Sequence, residues 1–146
     1  MNINLRKHRN RTYIQVSLYT LLAFCFFATM VFVFNNHSFY EQPIAKITDV
    51  ELKDTTETVD MFGNEDVLQT QMIVAELMNG EQKGQYITIL NEYSISKAYD
   101  NPYKINQEVF VNIDGKSDGT FTGTINDIKR DKHLAIVAWI FIFILL

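Results

Sequence analysis

The chain has 146 residues, 47% of them hydrophobic, with a formal net charge of −4. That balance argues against nucleic-acid binding, which needs basic surface to neutralise phosphates. The single cysteine, Cys25, rules out an internal disulfide framework, so any folded part must be held by its core.

The charge is unevenly laid out. Every acidic residue lies between Glu41 and Asp131, and the first forty residues carry only Arg6, Lys7, Arg9 and Arg11. The chain therefore divides into a basic tip (1–12), an apolar helix (13–35), an acidic middle (41–131) near −9 by itself, and an apolar end (133–146). An acidic surface mainly confers solubility.

Tyr13 to Phe34 reads YIQVSLYTLLAFCFFATMVFVF. As a helix it covers about 33 Å, enough to cross a bilayer core of about 30 Å with slight tilt. Gln15, Ser17, Thr20 and Thr29 are its main polar residues. Hydroxyls of this kind bond back to helix carbonyls and cost little. A cleaved signal peptide would have a shorter apolar core and an A-x-A-like site, and neither is found. The expectation is an uncleaved anchor. Four basic residues precede it, which places the N-terminus in the cytoplasm and the middle outside. Lys129, Arg130 and Lys132, beside the second apolar run, count against that orientation.

Between Gln42 and Asp131 the pattern turns to period two, the mark of half-buried strands. Five strands are predicted. The first covers Ile44 to about Lys53, with a phase slip between Ile47 and Val50 that predicts a bulge. The second, Thr70 to Met78, is apolar on both faces and is expected to be central. The third spans Gln85 to Leu90. In the fourth, Val109, Val111 and Ile113 point one way while Glu108, Asn112 and Asp114 point the other. The fifth runs from Thr120 to about Ile128, with Phe121 and Ile125 inward. Asn79-Gly80 and the Asp-Gly pairs at 114–115 and 118–119 mark turns. Met61 to Asp66 and Asn91 to Asn106 read as loops, the second of them long. The predicted fold is a mixed membrane architecture: an N-terminal transmembrane helix, a small five-stranded β-barrel-like (OB-like) domain, and the start of a second transmembrane helix.

That second helix is LAIVAWIFIFILL, Leu134 to Leu146. Thirteen helical residues reach only about 20 Å. The run reads as the first half of a span, and the chain as the N-terminal piece of a longer membrane protein.

Reactive chemistry is sparse. His8, His37 and His133 lie outside the middle domain and no pair of them shows the i, i+4 ligand spacing, so no metal site is predicted. Asp114 to Gly119 resembles part of a calcium loop but lacks its middle ligand and distal Glu, and reads as a solvated turn. Glu65-Asp66 falls in the predicted exposed loop, where nothing would shift its pKa values. No nucleophile motif and no phosphate-cradling glycine loop occurs. No catalytic residue and no cofactor is expected, and the chain does not read as an enzyme. Tyr86, Tyr93, Tyr99, Tyr103 and Phe110 cluster in sequence around the third connection; they are candidates for an interaction patch, with packing beneath a long loop as the alternative.

The order of parts resembles the start of YibE/F family proteins, multi-spanning bacterial membrane proteins of poorly defined function. The resemblance rests on Thr70-Gln71, on Asn79-Gly80 with Lys83-Gly84, and on Asn91-Glu92-Tyr93-Ser94. It continues through Ala98-Tyr99-Asp100, Val109-Phe110-Val111 and Lys129-Arg130-Asp131, and covers most of residues 40–146. Asn106 stands where such proteins often have Gly. The resemblance implies further spans and a cell-membrane location, with a transport-related role suggested by architecture alone; it implies no catalytic residues. The expected partners are the lipid bilayer and either the remaining spans of the full-length protein or another membrane protein. The alternative is a self-contained, membrane-anchored binding module or receptor.

Overall fold

A computed structural model describes residues 2–59, 62–96, 101–117 and 119–145, with side chains described from Tyr13 onward except at 116 and 117. The chain divides into two units, one of Met1–Asn36 with Arg130–Leu146 and one of His37–Lys129.

The first unit is helical. Helix α1 runs from Asn2 to Phe34, uninterrupted by Pro or Gly. Its apolar stretch, Tyr13–Phe34, has 22 residues with a mean hydropathy of 2.2, and almost none of it is buried. The hydroxyls of Thr20 and Thr29 donate to the carbonyls of Val16 and Cys25, one turn back, so their polarity is satisfied within the helix. Asn35 closes the helix by donating from Nδ2 to the Val31 carbonyl, one of the last acceptors without a helical partner. Helix α2 covers Asp131–Leu145, with Asp131 in the first turn, where a negative charge favours the helix dipole. The helices run antiparallel. Asn36 Nδ2 donates to Asp131 Oδ2 at 2.8 Å, and the Lys132 ammonium lies 4.5 Å from the centre of the Phe34 ring. Two turns further along each helix, Phe26 meets Trp139 edge-on at 5.5 Å.

The second unit holds five strands among the described residues: β1 (Ile44–Val59), β2 (Glu65–Leu77), β3 (Tyr86–Ser94), β4 (Glu108–Ser117) and β5 (Thr120–Ile128). A 3-10 turn, Asn36–Phe39, precedes them. The strands form one mixed sheet in the order β1-β2-β3-β5-β4, and β1 pairs with both β2 and β4, so the sheet closes on itself. Among the described residues, only β3 and β5 pair in parallel.

The bulge expected in β1 is present: register with β2 shifts between Ile47 and Asp49, and again between Leu52 and Asp54. These shifts let β1 bend away from β4, with which it pairs at residues 44–46, while its pairing with β2 continues from Ala45 to Val59. Three strands are longer than their hydrophobic runs indicated. β1 continues to Val59 and β2 begins at Glu65, so Met61–Asp66 is not all loop; β3 continues to Ser94, into the predicted third connection. Polar residues extend these strands because a paired neighbour supplies backbone hydrogen bonds that no apolar pattern announces.

The core is built from alternate residues. Ala45, Ile47, Ile73, Ala75, Leu77, Ile87, Ile89, Val109 and Val111 are buried together with Tyr103. Ile113, Phe121 and Ile125 pack against them, as their phase predicted. A fully buried Ile or Leu stabilises the fold by about 1.5–3 kcal/mol relative to exposure.

Candidate functional site

The best-defined polar constellation of the β unit lies where the chain enters and leaves it. Asn79, in the turn after β2, is 6% exposed. Its Oδ1 accepts the Ile44 backbone N–H at 2.7 Å. Its Nδ2 donates to the carbonyls of His37, Tyr40 and Gln42 at 3.0–3.1 Å, two hydrogens being shared among three acceptors. One amide thus fixes the segment leading into β1. The Asn79-Gly80 pair marks a turn as expected, but the left-handed residue is Gly80, at φ 77°. Asn79 serves as a latch.

Beside that segment, Glu108 at the start of β4 is 7% exposed. His37 Nε2 lies 3.2 Å and Lys129 Nζ 3.5 Å from its Oε2. The Lys129 backbone N–H donates to the Glu108 carbonyl at 2.8 Å, and its ammonium lies 5.4 Å from the centre of the Tyr40 ring. Tyr40 in turn packs on Phe110 at 5.3 Å. The first and last residues of the unit therefore meet on one carboxylate. The phase of β4 points Glu108 away from the core, yet His37 and Lys129 cover it. His37, read from sequence as outside the middle domain, belongs to this unit.

A second cluster overturns the expectation for Asp66, while Glu65 is exposed as expected. Both residues are on β2, and Asp66 is 7% exposed. Its carboxyl is held below the usual aspartate value, chiefly by the hydrogen bond from the Ser96 hydroxyl. Desolvation opposes this, and the Val67 and Ser96 backbone N–H groups and the Ser94 side chain lower it further. A third cluster anchors the connection between β3 and β4. Gln71 Oε1 accepts the Tyr103 N–H at 3.0 Å, and Asn91 Nδ2 donates to the Asn101 carbonyl at 3.1 Å.

The aromatic candidates are distributed. Tyr103 is a core residue, and Phe110 packs with Tyr40. Tyr93 donates its hydroxyl to Gln69 Oε1 at 2.6 Å. Tyr86, 52% exposed, lies seven residues from Tyr93 on β3 and so on the other face. Tyr99 lies outside the described residues. Among the described residues, no group of three or more His, Cys, Asp or Glu side chains is placed to hold a metal ion. Sequence reasoning missed the roles of Asn79, Glu108 and Asp66. The available signal was weak: a polar residue at the very end of a strand or turn, whose partners are distant in the chain.

No curated protein and no solved structure matches the chain. The model of the YibE/F family N-terminal domain matches residues 38–128, more than half of the chain and nearly all of the β unit. The chain belongs to the YibE/F family.

Proposed function

We propose that this is the membrane-anchoring and extracytoplasmic region of a multi-pass membrane protein, in which an OB-like closed barrel serves as an interaction domain rather than an enzyme. The observation that carries the reading is the pairing of α1 with α2. A 22-residue apolar helix ends where a second apolar helix begins, as Asn36 and Asp131 show. A chain that crosses a bilayer, builds a domain and returns needs that geometry.

The N-terminus is assigned to the cytoplasm and the β unit to the outside. Arg6, Lys7, Arg9 and Arg11 precede the span and favour this orientation. Lys129 weighs little against it, because Glu108 offsets its charge at 3.5 Å. The bilayer is one partner; further spans of the same protein or of another membrane protein are the others. A groove of about 560 Å³ lined by Tyr19, Leu22, Ala23, Phe26, Phe27 and Phe143 supports that assignment, being almost wholly apolar. A transport-related role for the whole protein accords with this architecture.

The test is accessibility. A cysteine at Lys83, in a turn exposed to solvent, is introduced in a Cys25→Ala background. It should react with a membrane-impermeant maleimide on intact cells. Labelling only after lysis would reverse the orientation, and recovery of the chain in the soluble fraction without detergent would remove the membrane from the reading altogether.

A further inference from the structure

The outer face of the β1-β2-β3 part of the sheet combines apolar surface with negative charge. Inward positions on β2 and β3 are Gln71, Ile73 and Ala75, and Ile87, Ile89 and Asn91, all buried. The alternate residues therefore point out. Met72 and Leu90 are direct cross-strand partners on that outer face, and Val74 stands one pair further along. Leu90 is 67% exposed. Apolar side chains on both faces of β2 give the strand its near-continuous hydrophobic run, and the core accounts for only one of those faces.

Acidic residues surround this centre. Asp49 pairs with Val74, Glu51 with Met72 and Asp54 with Thr70, from β1. Glu92 on β3 pairs with the same Thr70, and Glu76 flanks the far end, opposite Tyr86. Two cations temper the rim: Lys53, 2.7 Å from Glu51, and Lys46, the register partner of Glu76. Five carboxylates against two ammonium groups leave the face negative. An apolar centre inside a charged rim is the anatomy of a protein interface.

We infer that this face binds a basic amphipathic segment of another polypeptide, its apolar side chains on Met72, Val74 and Leu90 and its lysines or arginines on the carboxylates around them. The inference rests on the reading of the β unit as an interaction domain and names the chemistry of its partner. Charge complementarity selects the occupant. A second copy would set acidic rim against acidic rim, and an anionic lipid surface or a nucleic acid would be repelled in the same way. The face is the outer surface of the closed sheet, which suits a polypeptide better than a small molecule.

The experiment uses the full chain in nanodiscs of zwitterionic lipid and two labelled peptides with the same spacing of leucines, one carrying lysines and one carrying glutamates. Empty nanodiscs give the background. The lysine peptide should bind, weaken at least tenfold between about 50 and 300 mM salt as screening sets in, and slow amide exchange along β2 and β3. Leu90→Asn, at an exposed position, should weaken binding at least tenfold with an unchanged unfolding midpoint. Glu51→Gln combined with Asp54→Asn should remove most of the salt dependence. Equal binding of both peptides, protection confined to the helices, or a dimer that Leu90→Asn dissociates would each overturn the inference. None of these outcomes depends on which side of the membrane the β unit occupies, so failure here and failure of the cysteine labelling are separable.

Discussion

Gly123 on β5 lies against the backbone of Asn112 on β4 so closely that a Cβ at 123 would come within 2.1 Å of the Asn112 carbonyl oxygen. The same Cβ would lie 2.8 Å from Ile87 Cδ1 on β3. Position 123 is where β5 passes between its antiparallel and parallel neighbours, pairing with Ile113 and with Ile89. A carbonyl held in a ladder cannot yield as a side-chain end can. Gly123→Ala should therefore cost about 2–3 kcal/mol through overpacking, lowering the unfolding midpoint of the β unit by roughly 10–20 °C. Gly115→Ala is the control: nothing lies within 4 Å of its Cβ, and its effect should stay within about 0.5 kcal/mol. Thermal unfolding followed by circular dichroism in detergent checks both.

Part of this fold was legible in the chain. The bounds of β5, Thr120–Ile128, follow from turn residues and alternation, and the slip between Ile47 and Val50 marks a real register shift. Elements were legible where side-chain hydrophobicity alone decides the conformation. The outer half of β1, with its run of Asp54, Thr55, Thr56, Glu57 and Thr58, was not. Those residues are strand because β2 lies beside them, a fact about pairing that no local pattern contains. The polar clusters were hidden for a related reason: Asn79 answers to His37, 42 residues earlier, and Lys129 answers to Glu108 across the sheet.

Asn79 should be one of the most sensitive polar positions in the β unit. Asn79→Ala leaves the Ile44 N–H and the carbonyls of His37, Tyr40 and Gln42 without this partner, in a site that is 6% exposed. A loss of about 2–4 kcal/mol follows from several hydrogen bonds at roughly 1 kcal/mol each, plus the desolvation of groups left unmade. Asn79→Asp should cost more, because a carboxylate replaces the donor that faces three carbonyl oxygens. Equilibrium unfolding in urea distinguishes the two; a smaller loss for Asp than for Ala would contradict the assigned amide orientation.

Glu108 and Lys129 should show strong coupling. Glu108→Gln removes the negative charge beside an ammonium whose side chain is 1% exposed. Breaking such a buried pair costs about 3–5 kcal/mol, while replacing both partners often costs far less. The double variant Glu108→Gln, Lys129→Met should accordingly recover much of the stability lost in Glu108→Gln alone. Strict additivity in that cycle would mean the two charges act separately.

Asp66 should give the β unit an acid-sensitive component of stability. The Ser96 hydroxyl donates to its Oδ2 at 2.5 Å, and the backbone N–H groups of Val67 and Ser96 donate to Oδ1 at 2.8 and 3.2 Å. Desolvation raises its pKa less than the Ser96 hydrogen bond lowers it. The folded pKa therefore lies below the unfolded value of about 3.9. Between those two values the unfolded chain binds more protons than the folded one, and stability rises with pH. The contribution is complete above about pH 4 and is lost as pH falls through the folded pKa. Ser96→Ala removes the largest cause of the shift. It should flatten the decline of stability below about pH 4 and leave a pH-independent deficit at neutral pH. Urea unfolding at stepped pH, comparing the parent with Ser96→Ala, measures that slope directly. Equal slopes would place the acid sensitivity on other carboxylates, since the deletion of a hydroxyl that does not stabilise the ionised form leaves proton uptake unchanged.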